Sequence, residues 1–221
     1  MATKLVVFDV DGTLVDSAAT IVRCMTEAFI ECGREPPEPA AIRGIIGLSL
    51  PEAVGHIVGK ISPQFVEAIV AAYKRRYQLD RETRPMPDGL FPGALACLDA
   101  LEEAGCLLAL ATGKSRRGLL ALMQRHGLLH RFAAIGTADD GPGKPDPFML
   151  HKVMAEAGAE PAGSAMVGDT VYDIAMARAA RVAAFGVAWG NHDGGAMLAA
   201  GARAVAPDFA ALTGMLFETL P

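Results

Sequence analysis

The sequence predicts an α/β fold built on a parallel sheet, with an all-α insertion near its start. Short apolar runs of strand length alternate with amphipathic segments over most of the 221 residues. The runs are apolar throughout, which is typical of strands covered on both faces in a parallel sheet. Only residues 17–84 break the alternation, because they show helical patterns and no strand. These observations predict a Rossmann-like core with a helical insertion after its first strand.

Six apolar runs are the predicted strands, at residues 5–8, 107–111, 133–136, 165–167, 183–187 and 204–206. The helices between them have recognisable ends, because proline suits a first helical position, serine and aspartate suit the N-cap, and glycine ends a helix. Such residues predict three helices. One begins at Pro92 and ends at Gly105, and another begins at Ser115 and ends at Gly127. The third begins at Asp146, with Pro147 in the first helical position, and ends at Gly158.

The insertion has helix signals of its own. One helix is predicted from Ser17 to Cys32, and another begins at Ser62 with Pro63 in its first position. Residues 84–89 contain two prolines and end in glycine, which is typical of a linker. We therefore predict an α/β core domain formed by residues 1–15 and 89–221, and a helical cap domain formed by residues 16–88.

Composition excludes several classes of protein. The chain has 20 Lys and Arg against 25 Asp and Glu, a net charge of −5, and no basic run, which argues against a nucleic-acid partner. No apolar stretch has the length of a signal peptide or a membrane span. The four cysteines contain no C-x-x-C and indicate reduced thiols. We expect a cytoplasmic protein without a membrane partner, and leave open whether it is a monomer or a homodimer.

The first predicted strand ends in two carboxylates, Asp9 and Asp11, followed by Gly12 and Thr13. Residues two apart face the same side of an extended chain, and the carboxyl ends of strands form the ligand crevice of open α/β sheets. Paired carboxylates at such a place can hold a divalent cation, or act as a nucleophile and a proton donor.

Polar motifs follow three later strands. The second strand ends in Thr112-Gly113, beside a helix N-terminus that suits an anion, and Lys144 precedes a proline after the third. The fourth strand leads into Asp169 and Asp173, one helical turn apart. Each motif is weak by itself. Their order, with each at the end of a strand, is hard to produce by chance.

The set D-x-D-G-T, a strand ending in Thr, K-P-D-P and G-D-x-x-x-D resembles the haloacid dehalogenase superfamily. The helical insertion after the first motif is similar to that of members with a small helical cap, phosphoglycolate phosphatases among them. The resemblance covers essentially the whole chain. It implies a phosphatase that uses Mg²⁺ and an aspartyl-phosphate intermediate to hydrolyse a small-molecule phosphate monoester.

The resemblance also implies a role for each motif residue. Asp9 would be the nucleophile, and Asp11 would donate a proton to the leaving oxygen and later activate water. Thr112 and the amide of Gly113 would hold phosphoryl oxygens. Lys144 would neutralise charge between the nucleophile and the phosphate.

The Mg²⁺ site implied by the resemblance uses four aspartates. Asp9, Asp169 and the backbone carbonyl of Asp11 would bind the ion, with Asp173 in support. The second carboxylate, Asp11, favours phosphate chemistry over dehalogenation, since a halide needs no proton to leave. A phosphoglucomutase-type phosphotransferase and a pyrophosphatase stay open, and a catalytically silent binding module is disfavoured because no catalytic group is missing.

We predict that two further segments lie near the site. Arg43 begins a glycine-containing segment, residues 43–50, that we predict to close over the substrate, with Arg43 pairing to a carboxylate or a second phosphate. Phosphoglycolate phosphatases often carry Asn after the Thr of the second motif, where this chain has Gly113. Residues 189–192 follow the fifth strand and are predicted to line the entrance.

Overall fold

The computed structural model describes residues 3–59, 63–83 and 88–220. Its centre is a six-stranded parallel sheet in the order β3-β2-β1-β4-β5-β6. The strands are β1 (Leu5–Phe8), β2 (Leu107–Thr112), β3 (Phe132–Thr137), β4 (Ser164–Gly168), β5 (Ala183–Val187) and β6 (Ala204–Ala206). Every predicted strand is present, and three of them are longer by one or two residues than predicted.

Ten α-helices are described, and six of them follow the insertion. The helices are α1 (Ala18–Glu31), α2 (Pro39–Arg43), α3 (Leu50–Val58), α4 (Pro63–Thr83), α5 (Ala94–Glu103), α6 (Arg116–Arg125), α7 (Phe148–Ala157), α8 (Val171–Ala179), α9 (Gly194–Ala200) and α10 (Phe209–Thr219). This is the predicted α/β class.

Two of the predicted helix starts are wrong by one or two residues. Helix α5 begins at Ala94 and not at Pro92, because Gly93 has a φ of +88°, which a right-handed helix does not accommodate. Helix α7 begins at Phe148, one residue after Pro147. The N-cap is therefore Pro147 and not Asp146, and the Asp146 carboxylate accepts the Phe148 backbone N–H at 2.9 Å from one residue further back. Ser115 caps α6 as predicted, by accepting the backbone N–H of the third residue of that helix.

Strand β1 is buried on both faces, as the apolar runs predict. Val6 and Phe8 pack in one apolar cluster with α5, α6 and α10, and Leu5 and Val7 pack in a second with α7, α8 and α9. Alternate residues of a strand point to opposite faces, so the central strand anchors both layers of helices. The loop that follows β1 is therefore held between two packed layers.

Helices α1–α4 occupy the predicted insertion, and no strand lies within described residues 17–59 and 63–83. They share an apolar cluster of their own, which buries Phe29, Ile42, Val54 and Ile69. Ser62 and residues 84–87, where we predicted a cap and a linker, lie outside the described residues. The division into two domains at residues 15/16 and 88/89 stays a prediction.

The chain enters and leaves the insertion through two adjacent segments. The Asp16 backbone N–H donates to the Gly89 carbonyl at 2.9 Å, and the Phe91 N–H donates to the Leu14 carbonyl at 3.0 Å. Trp189 lies beside these two segments, and its indole N–H donates to the Thr13 carbonyl at 3.0 Å. The two connections are thus tied together directly beyond the end of β1.

All four cysteines are free thiols, and three of them are buried. Among the described residues, no helix is both long enough and apolar enough to cross a membrane.

Candidate active site

The site lies at the carboxyl ends of β1 and β4, where the strand order changes direction. Asp9 follows β1, and Asp169 and Asp173 follow β4. Oxygen atoms of these three carboxylates lie within 4.8 Å of one another, and all three side chains are buried. This is the crevice in which open parallel sheets bind ligands.

Lys144 reaches the same point from the loop after β3. Its ammonium nitrogen lies 2.6 Å from Asp9 Oδ1 and 2.6 Å from Asp173 Oδ1, and the side chain is fully buried. Burial lowers the pKa of Lys144, but the two carboxylates outweigh it, and the net pKa lies above the ordinary value. The lysine is therefore a fixed positive charge among three carboxylates.

Asp9 is the least satisfied member of the cluster. Its Oδ2 atom is buried and has no hydrogen-bond partner among the described residues. Burial raises the pKa of Asp9 well above its usual value, Lys144 opposes this shift, and Asp173 and Asp169 add to it. A buried carboxylate with a free oxygen and excess negative charge nearby is a place where a cation or an electrophile would fit.

Asp169 is held rigidly by three hydrogen bonds. Its Oδ2 accepts the backbone N–H and the side-chain amide of Asn191, both at 2.8 Å, and its Oδ1 accepts the Thr13 hydroxyl at 3.1 Å. Burial and the neighbouring Asp173 raise its pKa to about 7. The sequence reasoning did not assign Asn191 a contact to Asp169, although Asn191 follows β5 just as the recognised motifs follow their strands.

The two carboxylate oxygens of Asp173 make different contacts. Its Oδ2 accepts the Thr170 backbone N–H at 3.1 Å and the Thr170 hydroxyl at 2.7 Å, which closes the capping box of α8, while its Oδ1 pairs with Lys144. A Cβ at Gly168 would lie 2.3 Å from the Asp173 side chain. The G-D-x-x-x-D spacing is thus explained by close packing of the strand end against the first turn of the helix.

The side chain of Asp11 lies outside the carboxylate cluster. Its two oxygens each lie 2.7 Å from the Lys114 ammonium, and Oδ1 also accepts the Ser17 hydroxyl at 2.5 Å. The structure thus separates Asp11 from the other predicted metal ligands, and a metal contact through its backbone carbonyl stays a prediction. Lys114 is a site residue that the sequence reasoning missed, although it belongs to the second motif.

Thr112 ends β2 and Gly113 follows it, beside the two aspartates that follow β1. Thr112 is buried, and its hydroxyl accepts the Lys114 backbone N–H at 3.3 Å. A Cβ at Gly113 would lie 2.4 Å from the Leu48 carbonyl oxygen and 2.6 Å from that of Gly47. Glycine at position 113 therefore allows the backbone of the insertion to contact the end of β2.

Arg43 is not brought to this site, so the structure does not support its predicted contact to substrate. It is the last residue of α2, and its side chain is exposed. Its neighbour Ile42 is buried in the apolar cluster of the insertion, which turns the next side chain outward. The rest of the predicted segment does approach the site, since residues 45–51 line a cavity between the insertion and the sheet.

A cavity of about 530 Å³ lies between the insertion and the carboxyl edge of the sheet. Asp9, Asp11 and Thr112 line the end nearest the sheet, and residues 45–51 together with residues of α1, α3, α4 and α6 line much of the rest. Its size falls within the range of roughly 300–1,000 Å³ that is usual for small-molecule sites. The carboxylates thus face a space that can hold a small molecule.

A parallel sheet with a carboxylate cluster and a buried lysine at its switch point defines an α/β enzyme equipped for reaction at an anionic group. A family model described as haloacid dehalogenase-like hydrolase matches residues 6–187. The chain belongs to this family, and it is a phosphatase of that family.

Two relatives and one solved structure illustrate the similarity. A Dickeya dadantii protein described as "Probable phosphatase IndB" is 37% identical over 95% of this chain and 92% of its own. An Agrobacterium fabrum phosphoglycolate phosphatase is 34% identical over 99% of this chain and 94% of its own. The crystal structure of a hydrolase from Pseudomonas syringae has a TM-score of 0.85 at 25% identity, and covers 99% of this chain and 100% of that one.

Replacement of Gly113 by Ala tests the contact between the insertion and β2. The added Cβ would collide with the Leu48 and Gly47 carbonyls, so we expect the turn to shift and kcat/KM for phosphate-ester hydrolysis to fall by about 10-fold or more. Steady-state kinetics and thermal unfolding would measure the effect. Gly214→Ala is the matched control, because nothing lies within 4 Å of that added Cβ. Equal kinetics for both variants would contradict the contact.

Proposed function

We propose that the protein is a Mg²⁺-dependent phosphatase that hydrolyses a small-molecule phosphate monoester of the phosphoglycolate type through an aspartyl-phosphate intermediate. The observation that carries the proposal is the Asp9 carboxylate, with one buried oxygen free and the other 2.6 Å from Lys144. Because a relative 34% identical to this chain is a phosphoglycolate phosphatase, 2-phosphoglycolate is the first compound to test.

Asp9 would attack phosphorus while the bond to the leaving alcohol breaks. Lys144 supports this step, because its charge offsets the repulsion between a carboxylate and a phosphate dianion. Thr112 and the Gly113 amide line the same end of the cavity and would hold phosphoryl oxygens. Positioning and electrostatic stabilisation are the main contributions that a protein makes to phosphoryl transfer.

Asp11 would supply the proton for the leaving oxygen, and would then take a proton from the water that attacks the aspartyl-phosphate. Its hydrogen bonds from Lys114 and Ser17 hold the carboxylate at the edge of the cavity rather than in the cluster. This position separates the proton donor from the nucleophile, as a two-carboxylate mechanism requires.

The residues of the cluster fit a divalent cation. Three buried carboxylates face one point with a single lysine among them, and one oxygen of Asp9 has no partner among the described residues. Asp9 and Asp169 would hold Mg²⁺, whose preferred ligands are oxygens, and Asp173 would support the site through Lys144. Bound there, the ion would supply positive charge for the phosphoryl oxygens.

The four free thiols are consistent with a reducing compartment, and we propose that the protein acts in the cytoplasm.

Phosphate release tests this function. We expect release from 2-phosphoglycolate or a related monoester in Mg²⁺, and none in excess EDTA. Asp11→Asn is expected to lower kcat by roughly 10²- to 10⁴-fold, the usual contribution of a positioned proton donor, without loss of the fold. Release that persists in EDTA would contradict the metal, and full activity of Asp11→Asn would contradict the proton transfer.

A further inference from the structure

We infer that the leaving group of the substrate carries an uncharged, largely apolar ring, and not a second anion. This inference rests on the phosphatase chemistry of the proposed function and departs from a phosphoglycolate-type substrate, whose leaving group carries a carboxylate. In the reaction, the bond between phosphorus and the oxygen of a ring-bearing alcohol breaks, and water supplies the oxygen that completes inorganic phosphate.

The part of the cavity wall that comes from the insertion is mostly apolar, and the polar residues among its described members are Ser49, Lys74, Gln78 and Arg81. Its apolar residues come from α1, α3, α4 and the segment between α2 and α3: Ile21, Met25, Ile45, Ile46, Leu48, Leu50, Ala53, Tyr73 and Tyr77. A phosphate held beside Asp9 would occupy only one end of the 530 Å³. The remaining space is large enough for a ring, and burying the apolar area of that ring against this surface is favourable.

Two tyrosines make part of this wall aromatic. Tyr73 and Tyr77 are one turn apart on α4, with ring centroids separated by 5.8 Å and ring planes inclined by 27°. Such faces stack favourably on another flat ring.

Among the described residues, the buried lysines at the carboxylate end of the cavity are already paired with carboxylates. Lys114 is paired with Asp11, and the lysine beside Asp9 is already shared between two carboxylates. The other cations that line the cavity are exposed side chains at its edge: Lys74, Arg81 and Arg117. A short dianionic substrate, anchored by its phosphate, would therefore press its carboxylate against apolar side chains, which is costly.

Three phosphate monoesters test the inference on the wild-type protein in Mg²⁺. Benzyl phosphate carries an apolar ring, glucose 6-phosphate a polar ring, and 2-phosphoglycolate a second anion. We expect kcat/KM for benzyl phosphate to exceed each of the others by about 10-fold or more, the effect of burying one aromatic ring. A higher kcat/KM for 2-phosphoglycolate or glucose 6-phosphate overturns the inference but leaves the proposed function standing. No phosphate release from any of the three overturns both.

A matched pair of variants locates the effect in the cavity. Leu50 lines the apolar wall and is half-buried, so Leu50→Asn is expected to raise KM for benzyl phosphate about 3- to 10-fold and not to raise that for 2-phosphoglycolate, whose carboxylate would meet a less apolar wall. Leu198→Asn makes the same change on α9, where the side chain is 51% exposed, and is expected to alter neither value. Equal effects of Leu50→Asn on both substrates would overturn the assignment of this wall to the leaving group.

Discussion

Asp9→Asn is expected to abolish turnover, with kcat reduced by about 10⁴-fold or more, while the fold is retained. An amide is a poor nucleophile, and Asp9 is the carboxylate after β1 that has one buried oxygen free and the other in contact with Lys144. Losses of this size are typical when the nucleophile of a catalytic unit is removed. Phosphate release under saturating substrate would measure kcat, and thermal unfolding would check the fold.

Asp16→Asn is the matched control for this experiment. Asp16 lies in the same loop as the aspartates of the first motif, but its side chain is exposed. It should keep full activity. If the Asp9→Asn protein is folded and active, Asp9 is not the nucleophile, and the aspartyl-phosphate mechanism is wrong.

Lys144→Met is expected to remove activity and also to lower the free energy of unfolding by about 3 kcal/mol or more. The ammonium is fully buried and pairs with Asp9 and Asp173, so its removal leaves two buried carboxylates without compensation. Methionine keeps much of the side-chain volume, which limits the packing loss. Urea unfolding in EDTA would measure the change without a contribution from bound metal.

Two comparisons separate charge from packing. Lys152→Met removes a partly exposed lysine that pairs with Glu156, and should cost less than about 1 kcal/mol. The double variant Lys144→Met/Asp173→Asn removes one of the two uncompensated charges, so it should recover part of the lost stability but none of the activity. If the double variant is less stable than Lys144→Met, electrostatic repulsion is not the cause of the loss.

The strands and the central carboxylates could be predicted because both depend on local sequence. Buried strands need continuous apolar runs, and functional residues of a parallel sheet follow the strand ends, so Asp9 and Asp169 could be placed together from order alone. The strand ends are less well predicted: β2 continues through Thr112 because its pairing with β3 extends to that residue. That pairing is a property of the neighbouring strand.

The missed contacts depend on distances between residues far apart in sequence. Asn191 and Asp169 are 22 positions apart, and Lys114 and Asp11 are 103 apart. No periodicity within a segment encodes such a pair. Arg43 shows the same limit, because the direction of its side chain follows from the burial of Ile42 in the apolar cluster of the insertion, and its own segment does not encode that burial.

The two segments that connect the core to the insertion lie beside a natural fluorescent probe. Trp189 is the only tryptophan in the chain, and its indole is tied to the Thr13 carbonyl beside the two connecting segments. Its ring lies 6.2 Å from that of Phe91, centroid to centroid, on the returning segment. Tryptophan fluorescence therefore comes from one place, directly beyond the strand that precedes Asp9. It can follow ligand binding to a variant that does not turn over, and it needs no attached label.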